Sequence, residues 1–177
     1  PLLLDGHKFD IRVYTLVATA RPFASFIFPV FVVRRSSAPY DLSTGNILSL
    51  MDSQHDNSFS PLGFARRLKR SRAWLSQFYC KMKTLISRVM GIMRHHLQSS
   101  TSASLLGQFA VLGIDVLVGE DDRQWLGEIN FSPDLGMMEK RPEWWKDALV
   151  NMLKEVVDIQ SQLLTARAKR GGQGKVA

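Results

Sequence analysis

The sequence contains a single cysteine, Cys80, among 177 residues. One cysteine excludes an intramolecular disulfide framework and any zinc site built from several cysteines, and it favours a reducing, intracellular compartment. Long hydrophobic runs are also missing. The stretch from Phe23 to Val33 is shorter than the roughly 20 apolar residues that span a bilayer, and it ends in Arg34-Arg35. We therefore expect a soluble chain with no membrane segment.

Acidic residues are missing from the middle of the chain, where none occurs between Asp56 and Asp115. That span holds many cations: Arg66, Arg67, Lys69, Arg70, Arg72, Lys81, Lys83, Arg88 and Arg94. The formal net charge is +7, which favours an anionic partner, although a basic helix face is often only solvated. Nucleic acid is not the expected partner, because the sequence shows no recognised binding motif and no interleaved aromatic platform.

The chain is as long as one domain, and 45% of its residues are hydrophobic, enough to form a substantial core. It starts with Pro1 and continues directly into Leu2-Leu3-Leu4, without a signal-peptide pattern. We therefore expect it to be a piece of a longer protein.

Strands are predicted in both halves of the chain. Residues Phe9 to Val17 alternate apolar and polar side chains, and Ala24 to Val33 form a second run in which Pro29 indicates an edge or bulged strand. Phe109 to Val118 and Gln124 to Phe131 flank a turn-rich segment, which is a hairpin signal. The composition of Ser36 to Pro61 is typical of a long loop, with a short strand possible at Asn46 to Met51.

Two helices complete the order strand, strand, helix, strand, strand, helix, which fits an α+β or mixed α/β unit with antiparallel hairpins. Apolar residues recur every three or four positions from Ser71 to Leu97, and the polar stretch Gln98 to Ser104 should end that helix. A second helix is predicted from Pro142 to Ala166. Residues 167–177 are basic and rich in glycine, so we expect a disordered tail.

Strand alternation places Lys8, Asp10 and Arg12 on a single face. A solvated sheet face would explain these charges simply. The functional alternative is a groove that holds a polyanion with hydroxyl groups, such as a nucleotide.

A second polar group comes from the hairpin, where Asp115 lies in one strand and Glu128 and Asn130 in the other. If the turn contains an even number of residues, Asp115 and Glu128 are direct or diagonal neighbours on the same face. Two carboxylates and an amide oxygen on rigid strands suit a hard cation such as Mg²⁺. The alternative is a polar face whose carboxylates pair with arginine or lysine.

Three segments resemble the tubulin tyrosine ligase-like family. They are Pro1 to Tyr14, which contains Lys-Phe-Asp-x-Arg; Val33 to Tyr40, which ends in Pro-Tyr; and Gly113 to Pro133, which contains an aspartate followed by Glu-x-Asn-x-Ser-Pro. The resemblance implies an α+β, ATP-grasp-like fold, a mostly antiparallel sheet with packed helices, that is incomplete at its N-terminus. Residues 1–166 would then be the C-terminal part of the ligase domain.

The resemblance also implies an activity and a set of roles. Members of the family use ATP to activate a carboxylate as an acyl phosphate, which an amine then attacks, so that glutamate, tyrosine or glycine is joined to tubulin or another protein. Lys8 would lie near the adenine and Asp10 would bind the ribose. Arg12 and Arg34 would be the catalytic residues, reaching the phosphates or the reacting carboxylate. Asp115, Glu128 and Asn130 would hold Mg²⁺, with Asn130 also close to the nucleotide.

Three positions depart from the family pattern. Ser49 could replace a nucleotide-binding threonine, but Leu50 occupies the place of an asparagine, and Phe131 is bulkier than the usual residue. A non-catalytic relative that binds microtubules or other polyanions is therefore an alternative, as is an ATP-grasp ligase for a small molecule. The expected partners are a free amino acid and tubulin or another acidic protein tail, in the cytoplasm and on the microtubule cytoskeleton, including the cilium or flagellum.

Overall fold

The computed structural model describes residues 1–43, 57–100, 108–133, 135 and 142–173. In chain order its elements are β1 (Phe9–Ala20), β2 (Phe23–Arg35), β3 (Ser58–Phe59), α1 (Pro61–Arg67), α2 (Arg72–Ser100), β4 (Ala110–Val118), β5 (Gln124–Asn130) and α3 (Glu143–Gln173). The strands form one sheet in the order β3-β2-β1-β4-β5, and each neighbouring pair is antiparallel. This confirms the predicted α+β class and the predicted hairpin.

The two faces of β1 contact different helices. Phe9, Ile11 and Val13 belong to a core cluster with residues of α1 and α2, including Phe64, Phe78, Met82 and Ile86. Tyr14, Leu16 and Ala18 pack against Trp145, Leu149, Met152 and Val156 of α3. Asp10 and Arg12 precede Tyr14 on the α3 side, at the end of that face where apolar side chains give way to charges.

The prediction that Pro29 marks a bulged strand is confirmed. Phe31 pairs with Val13 and Ile27 pairs with Thr15, so that residues 28–30 lie opposite Tyr14 alone. Proline has no N–H for the ladder, and a bulge removes the need for that bond.

Two short elements were not predicted. Helix α1 begins after Ser60, whose side chain accepts a hydrogen bond from the Gly63 backbone N–H at 3.1 Å, and Pro61 occupies its first turn. Strand β3 pairs with β2 at Val33 and Arg34. The strand predicted at Asn46 to Met51 lies outside the described residues.

Both long helices extend past their predicted ends. Helix α2 continues through Gln98 to Ser100, so the polar stretch does not break it at its start. Helix α3 continues to Gln173, so the prediction of a disordered tail is wrong for residues 167–173. Alanine, arginine and lysine are good helix formers, and Arg167 donates a hydrogen bond to Thr19 Oγ1 at 2.8 Å. Within the described ranges, neither long helix is apolar enough to cross a membrane.

Candidate functional site

The centre of the site is an ion pair between β1 and β4. Arg12 and Asp115 are opposite residues in the two strands. Arg12 Nε donates to Asp115 Oδ1, and Arg12 Nη2 donates to Oδ2 at 2.8 Å. Each side chain is only 9% exposed, so the two charges depend on each other for compensation.

Gly113 makes room for the Arg12 side chain. A Cβ at this position would lie 3.0 Å from Arg12 Cδ and 2.8 Å from Pro133 Cβ. Any larger residue would therefore push against the arginine or against the segment that follows β5. The glycine of the Gly113-Ile114-Asp115 segment thus has a packing role two residues before the carboxylate.

Arg34 connects β2 to the same centre. It lies opposite Asp10 in the β1–β2 pair, donates from Nε to Asp10 Oδ1 at 2.7 Å, and donates from Nη2 to Asp10 Oδ2. The same Nη2 is 3.0 Å from Asp115 Oδ2. The result is a continuous series of ion pairs across three strands, Asp10–Arg34–Asp115–Arg12.

Glu128 reaches this face through a β-bulge. The turn between Val118 and Gln124 contains an odd number of residues, which in a regular ladder would place Gly127 opposite Asp115. A shift of register after Asp115 instead pairs Asp115 with Glu128. The condition of an even turn is therefore not met, and the bulge produces the expected pairing.

Gly127 is the extra residue of the bulge. A Cβ there would lie 3.1 Å from the Asp115 carbonyl oxygen and 3.3 Å from Leu117 Cγ. The close approach of β4 leaves little space for a side chain, so a glycine at this position favours the bulged register.

Asn130 links Glu128 to Arg12. Its amide fits with the nitrogen donating to Glu128 Oε1 at 3.1 Å and the oxygen accepting from Arg12 Nη2 at 3.0 Å. Asn130 pairs with Gly113 in the ladder, so the residue that accommodates Arg12 lies directly opposite the residue that contacts it. All three residues predicted from the hairpin are therefore brought together.

Burial shifts the ionisation of the network. It is the main cause that raises the pKa of Asp10 above its ordinary value, and the hydrogen bonds from Arg34 oppose that rise. For Arg12 and Arg34 burial acts against the charged form, but their bonds to Asp115 and Asp10 outweigh it, so both guanidinium pKa values are raised. The two arginines are therefore held as cations.

These contacts decide between the earlier interpretations of the charges. A solvated face is wrong for Asp10 and Arg12, which are 6% and 7% exposed. Pairing with arginine, the alternative to a metal site, describes the Asp115 carboxylate in this structure. Glu128 is different: it is exposed and its described contact is with Asn130.

The charges of this face balance. The acidic residues are Asp10, Asp115 and Glu128, and the basic residues are Lys8, Arg12 and Arg34. Glu128 is the exposed carboxylate of the three. Among the described residues no group of three His, Cys, Asp or Glu side chains could hold a metal ion. Carboxylate and amide oxygens are the donor types that Mg²⁺ takes, but both Asp115 oxygens pair with arginines and the Asn130 oxygen accepts from Arg12. Glu128 is the member of the three whose described contact is not with an arginine.

Lys8 lies just before β1 and is half-buried. Its ammonium group is 4.7 Å from the centre of the Tyr40 ring, a cation–π distance. The Tyr40 backbone N–H donates to the Gly6 carbonyl at 2.9 Å, which holds the Pro-Tyr segment against the start of β1. Ser49, the other residue expected to bind the nucleotide, lies outside the described residues.

The structure adds an apolar shelf that the sequence interpretation missed. Leu117 lies two residues after Asp115 on the same face, and Trp125 is its partner in β5. They are 41% and 45% exposed, and the Trp125 ring lies so close to Gly119 that a Cβ there would be 2.6 Å from ring atom Cη2. The alternation that predicts β4 could have indicated that Leu117 lies on the same face as Asp115.

Comparison with known proteins gives a consistent result. The model of the tubulin-tyrosine ligase family matches residues 1–164. A tubulin polyglutamylase of Mus musculus, TTLL13, is 26% identical over 90% of this chain. A probable tubulin polyglutamylase of Bos taurus, TTLL9, is 28% identical over 97%, and a protein polyglycylase of Rattus norvegicus, TTLL10, is 29% identical over 90%.

The chain spans only part of these relatives: 23% of the mouse protein, 39% of the bovine protein and 25% of the rat protein. The family match nevertheless covers all five strands, helices α1 and α2, helix α3 up to residue 164, and the complete series of ion pairs. The α+β architecture agrees with the ATP-grasp-like fold that the resemblance implies. The chain belongs to the tubulin-tyrosine ligase family.

Proposed function

We propose that this chain forms part of an ATP-dependent ligase that joins an amino acid to tubulin or another protein. Support comes from the family and from relatives whose names describe tubulin polyglutamylases and a protein polyglycylase. The single observation that carries the proposal is the convergence of Arg12, Arg34 and Asp115 from three strands, next to Glu128. The transferred residue would be glutamate, tyrosine or glycine, and the protein would act in the cytoplasm on microtubules, including those of cilia or flagella.

Arg12 and Arg34 would bind and neutralise phosphate oxygens. A carboxylate that attacks a triphosphate brings two anions together, so catalysis depends on positioning and on charge neutralisation. The described bonds to Asp10 and Asp115 use the Nε and Nη2 groups of both arginines. In each guanidinium the Nη1 group is the part that would reach an incoming phosphate, while the aspartates keep the plane of the group fixed.

The other residues of the face would orient the nucleotide. Lys8, held by Tyr40, would contact the base, and Asp10 would accept hydrogen bonds from the ribose. The shelf formed by Leu117 and Trp125 would contact the flat surface of the base, since exposed aromatic rings stack on bases. Ser49 would add a hydroxyl group.

Asp115, Glu128 and Asn130 would hold magnesium. When bound, Mg²⁺ would neutralise phosphate oxygens and offset the negative charge of Glu128. The role of Glu128 is to supply an exposed carboxylate oxygen, and the role of the bulge at Gly127 is to keep that carboxylate beside Asp115. Asn130 would fix the distance between this carboxylate and Arg12.

The test is amino-acid incorporation by the full-length protein that contains this chain. Radiolabelled glutamate, glycine and tyrosine would be offered separately with tubulin, with and without ATP and Mg²⁺. We expect label from one of the three to enter tubulin only when both ATP and Mg²⁺ are present. Incorporation without ATP would contradict the proposed reaction.

A non-catalytic relative is the second candidate, because the aspartates already neutralise both arginines. Calorimetry with Mg²⁺ and ATP separates the two functions. Heat of nucleotide binding supports the ligase. Binding to tubulin without any binding of nucleotide would instead favour a microtubule-binding module.

A further inference from the structure

A cavity of about 210 Å³ lies between the bulged part of β2 and helix α3. Strand β1 contributes Tyr14, β2 contributes residues 28–30, and α3 contributes residues that include Trp145 and Ala148. Pockets for drug-sized ligands have volumes of about 300–1,000 Å³, so this cavity suits a smaller molecule. It shares no residue with the series of ion pairs, although Tyr14 follows Arg12 by two positions on the same face of β1.

The bulge in β2 accounts for one side of this space. Residues 28–30 lie opposite Tyr14 alone, and such an insertion bends a strand out of its regular path. On the other side, Ala148 has a small side chain that leaves room beside α3. The surrounding core stays closed, since Leu149 and Met152 are 2% and 5% exposed. Backbone geometry and one small residue therefore produce the cavity.

Most of the cavity wall is aromatic or aliphatic. The rings of Tyr14 and Trp145 have centroids 5.8 Å apart and planes inclined by 32°. Phe28, Leu149 and Met152 belong to the same apolar cluster. A wall of this kind favours an apolar ligand body, above all a flat ring that can lie against the aromatic side chains.

Polar groups stand at one edge of the cavity. Asn151 and Glu155 follow Ala148 by three and seven residues, which places all three on one side of α3. Both polar side chains are exposed. None of the described residues that line the cavity is a lysine, an arginine or a histidine. Among them, the Glu155 carboxylate is therefore a negative charge without a positive partner.

We propose that this cavity binds a small organic amine. The apolar body of the amine would lie against Tyr14 and Trp145, and its ammonium group would pair with Glu155. Asn151 has an amide oxygen that can accept a further N–H of the same group. A carboxylate or phosphate ligand fits less well, because it would lie next to Glu155 without a cation to compensate its charge.

The experiment measures binding of tryptamine to the full-length protein by calorimetry at low ionic strength. Indole-3-acetate is the matched probe, because it has the same ring system and a carboxylate in place of the amine. The formal net charge of the chain is +7, so overall electrostatics favour the acetate. We expect tryptamine to bind more tightly nonetheless, because the local charge at the cavity is that of Glu155.

Two variants locate the site. Ala148→Leu fills the space beside α3 and should raise the Kd for tryptamine at least about tenfold, whereas Ala168→Leu makes the same change at an exposed position of α3. Glu155→Gln should raise that Kd about two- to fivefold, the usual effect of a partly exposed ion pair. Asp158→Asn removes an exposed carboxylate outside the cavity and is its control. Both controls should leave the Kd unchanged.

Several results would overturn the proposal. Undetectable binding of tryptamine at millimolar concentration would show that the cavity is only a gap in packing. An unchanged Kd in Glu155→Gln, or equal affinity for indole-3-acetate, would contradict an amine site. Because Glu155 lies on the surface, that variant tests the proposal even if Ala148→Leu does not fold. Displacement of tryptamine by ATP would instead place the amine at the nucleotide face. Binding in the cavity requires neither ATP nor tubulin, so its outcome is independent of the proposed ligase.

Discussion

Arg12 and Asp115 are 103 residues apart in the chain, yet they face each other across two strands and form a two-bond ion pair. Asp115 also contacts Arg34, and Asn130 joins Arg12 to Glu128. The pair is therefore both a structural contact between β1 and β4 and the centre of the proposed nucleotide site. We therefore expect substitutions at this ion pair to change both the stability of the fold and the affinity for nucleotide. Substitutions away from the pair should change one of these properties without the other.

The first prediction concerns the stability of the ion pair. Asp115→Asn leaves Arg12 buried without its counter-ion, so we expect the free energy of unfolding to fall by about 3–5 kcal/mol. Urea denaturation of the full-length protein measures it. Glu143→Gln removes a carboxylate that is 79% exposed and pairs with Lys146, and should cost less than about 1 kcal/mol. Similar costs for both variants would show that burial does not strengthen the Arg12 pair.

The second prediction uses two glycines in different environments. In Gly113→Ala the new Cβ meets Arg12 and Pro133, so we expect a loss of about 1–3 kcal/mol in stability together with weaker ATP binding. Gly91→Ala adds a Cβ in α2 where nothing lies within 4 Å, and should stabilise the helix by up to about 1 kcal/mol. Denaturation measures the stability of the two variants, and calorimetry measures their affinity for ATP. Unchanged ATP affinity in Gly113→Ala would mean that the position of Arg12 does not matter for binding.

The hairpin shows how far the sequence could predict the site. Alternation predicted both strands, but the position of Glu128 depends on a bulge that forms because Gly127 allows close approach to the Asp115 carbonyl. Turn length alone gives the wrong register. Such a bulge depends on contacts between two strands, and the pattern within one strand does not contain that information.

The pairing of Asp10 with Arg34 also could not be predicted from the sequence. Each residue was expected to bind the nucleotide, but their mutual contact depends on β2 lying beside β1 in a fixed register. Periodicity did predict α2 well, because a helix is specified by neighbours three and four residues apart. The first turn of α1 had a readable signal in Ser60-Pro61 that the loop-like composition of Ser36 to Pro61 concealed.

The third prediction tests the apolar shelf. Trp125→Ala should weaken ATP binding about 5- to 150-fold, since stacking of a base on an aromatic ring contributes about 1–3 kcal/mol, whereas Trp125→Phe should keep most of the affinity. Calorimetry with inorganic tripolyphosphate is the control, because it has no base and should bind both variants equally. A parallel loss of tripolyphosphate binding would show that Trp125 acts on the phosphate site or on folding.

The most direct test of the central claim, that the face around Arg12, Asp115 and Glu128 is a magnesium- and ATP-dependent ligase site, compares two glutamates of the same hairpin. Glu128→Gln removes the exposed carboxylate of the site, and Glu120→Gln makes the same change in the turn. Incorporation of radiolabelled amino acid into tubulin by the full-length protein is measured at saturating ATP and Mg²⁺. We predict a fall of at least about 100-fold for Glu128→Gln, since a metal ligand is lost, and near-normal activity for Glu120→Gln. Incorporation by Glu128→Gln that matches the unsubstituted protein would contradict the account.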